Sequence, residues 1–140
     1  MVLKVGVIGC GGIANGKHLP ALAQVEAVEL VAFCDLEIAR AEKAKQTYGT
    51  ADAAVFKDYQ VLLKLDLDAV HILTPNSSHA PLTIAALEAG CHVMCEKPMA
   101  KTSEEAKAMI AAAEKTGKRL TIGYQNRFRT DSEYLHTVCE

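Results

Sequence analysis

Glycines cluster where an apolar run ends: Val5-Gly6-Val7-Ile8 leads into Gly9-Cys10-Gly11-Gly12-Ile13-Ala14. That string fits G-x-G-x-x-G/A, in which each small residue has a task. Gly9 allows a tight turn, Gly11 lets the backbone approach a pyrophosphate, and Ala14 permits a helix to pack closely on its strand. Bare N–H groups at the helix start, around Gly12 and Ile13, then face the anion. Asp35 follows about 20 residues on, the separation expected of an acid that accepts hydrogen bonds from an adenosine ribose. A carboxylate there repels a 2′-phosphate, so NAD is the expected coenzyme and NADP the disfavoured one. Arg40, one helical turn farther, would admit a 2′-phosphate if its side chain swung back. The competing role for Asp35 is a cap on a helix starting at Leu36.

Three later segments concentrate polar and charged groups. They are Thr74-Pro75-Asn76-Ser77-Ser78-His79, Glu96-Lys97-Pro98 and Tyr124-Gln125-Asn126-Arg127-Phe128, each directly after an apolar run. In an open parallel sheet ligands sit beyond the carboxyl ends of the strands, which is where these segments fall. Thr74 and Pro75 are expected to line a cofactor cleft through their backbone. Asn76 and His79 are candidates for the same cleft, with packing or capping the plainer role for His79. The histidines at 18, 71, 79, 92 and 136 have no ligand spacing, so no metal site is expected.

The elements that must position these groups alternate along the chain. Short apolar runs at Leu3 to Ile8, Glu29 to Cys34, Ala54 to Phe56, Ala69 to Leu73, His92 to Cys95 and Leu120 to Gly123 read as strands, several of them continuously apolar as in a sheet covered on both faces. Ala-rich stretches of helical period lie between them. Gly49, Gly90 and Gly117 each stand just past such a stretch, where a left-handed residue releases the chain. Thr102 with Glu105, and Thr130 with Glu133, have capping-box spacing. In the fifth helix Ala106, Met109, Ile110 and Ala113 form one stripe at i, i+3, i+4, i+7. The fold class expected is α/β, a doubly wound parallel sheet of the NAD(P)-binding Rossmann type in three α/β/α layers, with strand order 3-2-1-4-5-6. A flavodoxin-like sheet is the alternative.

Composition narrows the function classes. The chain has 140 residues, half of them apolar, and a net charge of −2, so it is one domain's worth of core-forming sequence with no electrostatic footprint for nucleic acid or an anionic membrane. No apolar run reaches the roughly 18 residues of a membrane span. The apolar stretch after Lys4 is interrupted by glycines and lacks a convincing cleavage site, which argues against a secretory signal. Five cysteines without a C-x-x-C pair suit reduced thiols, and with them a cytoplasmic location.

Taken together, VIGCGGIA at the front, TPNSSH, AGCHVMCEKPMAKTSEEAKAMI and GYQNRF resemble the glucose-fructose oxidoreductase/inositol dehydrogenase/MocA (Gfo/Idh/MocA) family over essentially the whole chain. The resemblance implies NAD(P)-dependent hydride transfer, a dehydrogenase acting on a sugar, cyclitol or related polyol. It implies that Lys97 reaches the reacting oxygen and stabilises its developing charge. Glu96 would orient Lys97 or face the nicotinamide ribose, Gln125 would approach the nicotinamide, and Arg127 would meet substrate or a structural carboxylate. A cis Lys97-Pro98 bond is expected. So is a division into a Rossmann domain at 1–123 and a linker motif with C-terminal helix at 124–140. In the family a second domain supplies the substrate walls and the general acid/base groups. That substrate domain is expected to be missing from this chain, which alone would turn over poorly and self-associate through apolar surface left bare. The alternative function is a non-catalytic dinucleotide-binding module with a sensing or regulatory role.

Overall fold

The computed structural model describes residues 2–139. Six strands, β1 (Leu3–Ile8), β2 (Val28–Cys34), β3 (Ala54–Phe56), β4 (Ala69–Ile72), β5 (His92–Cys95) and β6 (Leu120–Ile122), form one sheet in the order β3-β2-β1-β4-β5-β6. Every neighbouring pair is parallel. The chain winds outward through its first three strands, returns to the centre at β4, and winds outward the other way. Crossovers between parallel strands are as a rule right-handed, which places the helices of the two halves on opposite faces. The strand order is the one expected from the sequence, and the flavodoxin-like alternative is excluded.

The helices are α1 (Leu19–Leu22), α2 (Ile38–Tyr48), α3 (Tyr59–Leu62), α4 (His79–Glu88), α5 (Ser103–Thr116) and α6 (Thr130–Cys139). A π turn over Ala14–His18 leads into α1, and 3-10 turns at Asn76–Ser78 and Gln125–Phe128 precede α4 and α6. Alternation along the strands builds two cores. Val5 and Val7 of β1 pack with Leu19, Phe33, Ala41 and Ala44 on one face. Ile8 joins Val70, Ile72, Val93, Leu87 and Met109 on the other. Phe33, Leu19 and Ile72 are fully buried, and each such side chain contributes about 1.5–3 kcal/mol relative to exposure.

Several local expectations need correction. Gly49 is not left-handed: its φ is −79°, and a Cβ there would lie 2.8 Å from Phe33 and 2.9 Å from the Lys45 carbonyl, so close packing is what requires glycine. Gly90 and Gly117 do have positive φ. Thr102 caps α5, its hydroxyl accepting from the Glu105 amide at 3.2 Å, but the Glu105 carboxylate reaches back to the Lys101 amide rather than to Thr102. No box forms at Thr130, which opens α6 while the Glu133 amide donates to the Arg129 carbonyl. In α5 the buried line runs through Met109 and Ala112, and Ile110 turns to solvent, 48% exposed. A narrower stripe suffices because α4 shares the cover of that face. Finally, α2 starts at Ile38 with Glu37 as its cap residue, so Asp35 does not cap a helix at Leu36.

Candidate functional site

At the switch between β1 and β4 the chain leaves the two strands in opposite directions and opens a cleft of about 620 Å³. Its floor is the glycine loop. Gly9 sits at φ +94°, where a Cβ would be 2.7 Å from the Leu73 carbonyl oxygen, so only glycine lets β1 turn against the end of β4. A Cβ added at Gly11 or Gly12 would meet no protein atom within 4 Å, and both residues line the cleft with Ile13. These residues begin a helical turn, where N–H groups lack intrahelical acceptors. Open space before unpaired amides fits the diphosphate of a dinucleotide, and the cleft volume lies in the range of about 300–1,000 Å³ usual for small-molecule sites. Ala14 is fully buried beneath the loop, matching its expected role as a close packing contact.

Three hydrogen-bond sets hold this loop. The Gly9 amide donates to the Cys34 carbonyl at 2.8 Å. Asp35 Oδ2 accepts from the Cys10 amide at 2.8 Å, and its Oδ1 accepts from the Glu37 amide at 2.9 Å. Asn15 Nδ2 donates to the carbonyls of Cys10 and Gly11 at 2.7 and 2.9 Å. Asp35 therefore shapes the loop as well as lining the cleft, and each carboxylate oxygen keeps a second lone pair for a ribose hydroxyl. Asn15 was not singled out from the sequence; its signal was a short amide side chain one turn beyond the glycines. Cys10 and Cys34 lie beside the loop, and burial pushes their thiols up to about 12 and about 11, so both stay protonated near neutrality.

Arg40 reaches the same cleft from α2, its guanidinium 3.0 Å from Glu37 on the preceding turn. Lys57 and Tyr59, which the sequence did not mark, complete this end. Thr74 and Pro75 line the opposite wall as expected. Ser78, also unmarked, fastens that wall by donating to Thr74 Oγ1 at 2.7 Å and sharing the Pro75 carbonyl at 2.8 Å. Asn76 is exposed on the 3-10 turn and does not line the cleft. His79 is fully buried, with Nδ1 2.7 Å from the Pro98 carbonyl oxygen and Nε2 2.8 Å from that of Thr74. It ties two loops together and offers no free ring nitrogen to a ligand, so the packing role holds.

The remaining expected residues gather farther along the sheet. Lys97, Gln125 and Arg127 line a separate open hollow of about 440 Å³ with Tyr124 and Asn126. The Lys97-Pro98 bond is cis, as expected. Glu96 is 8% exposed; its Oε2 accepts from the Lys97 amide at 2.9 Å and its Oε1 is 2.7 Å from His18 Nε2. No Asp or Glu among the described residues pairs with Arg127. Behind His18 stands His71, whose imidazole burial holds neutral by pushing its pKa down to about 4, with the neighbouring His18 adding to the effect. Among the described residues no group of three potential metal ligands assembles, and no helix is long and apolar enough to cross a membrane.

Comparison with known proteins bears on this arrangement. Residues 3–124 match the model of an oxidoreductase family described as having an NAD-binding Rossmann fold. The chain is 41% identical over 134 residues to D-glucoside 3-dehydrogenase of Escherichia coli (strain K12), covering 95% of this chain and 38% of that one. It is 40% identical over 131 residues to inositol 2-dehydrogenase of Salmonella typhimurium (strain LT2), covering 91% and 38%. Among solved structures, a 3-ketoreductase from Actinomadura kijaniata in complex with NADP superposes with a TM-score of 0.91 at 28% identity, over 99% of this chain and 44% of that chain. The chain thus spans about two fifths of the length of these relatives. All three are named for redox enzymes, and none supports the sensing or regulatory alternative.

Proposed function

The chain belongs to the Gfo/Idh/MocA oxidoreductases and forms their NAD-binding Rossmann fold, and from that premise we propose that it binds NAD in preference to NADP and serves hydride transfer to or from a sugar, cyclitol or related polyol. One observation carries the coenzyme reading. The glycine loop is held open by Asp35 and Asn15, with clear space in front of Gly11 and Gly12. The preference for NAD rests on the Asp35 carboxylate at the end of β2, and on Glu37 engaging Arg40, the guanidinium that would otherwise meet a 2′-phosphate. Held by that loop and Asp35, NAD would supply a nicotinamide that accepts or returns the hydride.

In this reading Lys97 is the catalytic residue. Its ammonium donates to the substrate oxygen and stabilises the charge that develops on it, an effect that grows once water is excluded. Glu96 fixes the Lys97 backbone through the 2.9 Å amide bond. Gln125 would approach the nicotinamide, and Arg127, which pairs with no Asp or Glu among the described residues, is left to meet substrate. The group that takes the hydroxyl proton and the wall that presses substrate on the nicotinamide belong to a second domain, a reading supported by the greater length of the relatives. The division at 124, where the match to the family model ends, is part of the same proposal. A cytoplasmic location is proposed from the five thiols, which a reducing compartment suits.

Titration calorimetry with NADH and NADPH tests the coenzyme reading. NADH is expected to bind, with NADPH weaker by at least about tenfold from charge repulsion at Asp35, a difference that narrows in Asp35→Ser. Absence of heat with both coenzymes overturns the reading, and equal affinities in both proteins remove Asp35 from the specificity argument. Oxidation of inositols and aldoses by a protein that includes this chain tests the substrate class, and activity of the 140-residue chain alone would contradict the need for a second domain.

A further inference from the structure

We propose that His18 is a positioning residue for Lys97, acting through Glu96, so that the helical turn behind the glycine loop and the loop bearing the reacting lysine are fastened to each other. The role of Lys97 in this statement rests on the function proposed above. His18 and Glu96 are 78 residues apart in the chain, yet His18 Nε2 lies 2.7 Å from Glu96 Oε1. Both side chains are nearly enclosed, 14% and 10% exposed. His18 lines neither the coenzyme cleft nor the Lys97 hollow, so its part is assigned through Glu96.

The local backbone explains how His18 gets there. It is the last residue of the π turn Ala14–His18, whose i→i+5 bonding adds a residue to the turn and rotates the side chains beyond it about the helix axis. Ala14, fully buried at the start of that turn, presses it on the sheet. The His18 ring then meets His71 of β4 edge-on, with centroids 6.2 Å apart and planes at 76°, which fixes the ring's tilt. From the far side Gly123 leaves room for Glu96: a Cβ there would be 3.2 Å from Glu96 Oε1.

Glu96 has two oxygens and two duties. One accepts the Lys97 amide at 2.9 Å, and the other takes His18. A nearly buried carboxylate requires partners on both oxygens, or it turns toward water. Without a donor at 18, Glu96 loses its reason to stay inside, and the Lys97 amide loses its acceptor. The bond sequence π turn, His18, Glu96, Lys97 thus carries the placement of the diphosphate loop to the lysine.

The test reads the Lys97 amide in the 15N-labelled chain by hydrogen exchange and by its proton shift. His18→Leu fills the space without a donor, whereas His18→Gln keeps an N–H for Glu96. Lys97 amide exchange is expected to accelerate by about tenfold to a hundredfold in His18→Leu, with an upfield shift, and to return toward wild type in His18→Gln. The amide of Met109, in the far core, serves as the fold control. Equal behaviour of the two variants, or a Lys97 amide as protected in His18→Leu as in wild type, overturns the proposal. If His18→Leu does not fold, His18→Ala decides: it removes the same donor without placing a branched side chain there, and an unchanged Lys97 amide refutes the link. NADH titration of the wild-type chain is a separate measurement, so failure of the coenzyme reading is distinguishable from failure of this one.

Discussion

The coenzyme cleft and the segment after β6 are opposite kinds of surface. In the cleft the shape is set by main chain: Gly9, Cys10 and Gly11 are each fixed by a bond from a neighbouring strand or side chain within this chain. After β6 the side chains that could do chemistry stand on a turn and a helix that are almost wholly exposed among the described residues. Phe128 is 80% exposed, and Tyr134 and Val138 of α6 are 68% and 64% exposed. The first surface is built within this chain, whereas the second, in the reading proposed above, is one side of a site that a further domain completes. In that reading binding and turnover depend on different parts of the protein, and they can be broken separately.

The largest effect is expected at Gly9, where fold and site coincide. Gly9→Ala places a methyl 2.7 Å from the Leu73 carbonyl at φ +94°. Relief requires β1 and β4 to part at the cleft, at a cost of about 3 kcal/mol or more. Thermal unfolding should fall accordingly and NADH binding should vanish together with it. A variant that melts like wild type would show that the loop is not braced by β4.

His71 of β4, beside His18, gives the next effect. Its pKa is about 4 in the folded chain against an ordinary value of 6.5, so the unfolded chain takes up the proton first. Stability is then full above pH 6.5 and lost as pH falls toward 4, by up to about 3 kcal/mol. Its Nδ1 is buried without a partner, so His71→Leu abolishes no hydrogen bond made by that atom. The variant should flatten the acid limb of Tm against pH; an unaltered limb would assign acid sensitivity to another group.

Much of this division could be read in the sequence, and the failures have physical causes. Short apolar runs marked all six strands, several of them continuously apolar because both sheet faces are covered, and βα alternation made the observed strand order the first choice over a flavodoxin-like one. Eight of the expected cofactor residues line the cleft because the glycine motif and strand ends locate main chain, which depends on local geometry. The roles of Asn15, His18 and Ser78 were not legible because they come from what lies opposite them: carbonyls of the loop, a carboxylate far away in sequence, and a hydroxyl one turn back. Spacing can place a residue on an element but cannot name its partner across the sheet. Gly49 shows the converse. Glycine at a helix end suggested a left-handed cap, yet Phe33 of β2 was the constraint.

Gly11 separates binding from folding. A methyl there meets no protein atom within 4 Å, so Gly11→Ala should melt within about 0.5 kcal/mol of wild type. The same methyl enters the space assigned to the diphosphate, and NADH affinity should fall by about tenfold or more. Wild-type affinity in this variant would move the diphosphate elsewhere in the cleft.

The smallest effect on stability is expected after β6, and that smallness is what distinguishes the region. Replacing Phe128 and Leu135 by Ser removes two exposed apolar side chains that contribute to neither core. Tm and NADH affinity should stay within error, because neither Phe128 nor Leu135 lines the coenzyme cleft. What should change is association: at micromolar concentration the wild-type chain is expected to scatter light with a mass above one copy, and the double variant to approach one copy, since bare apolar patches drive such contacts. A wild-type chain that is already monomeric would mean that these side chains are tolerated in water, and that the contrast between the two regions lies in shape alone. A fall in Tm on substitution would mean that the segment is bound to the Rossmann core, and the two surfaces would then be one.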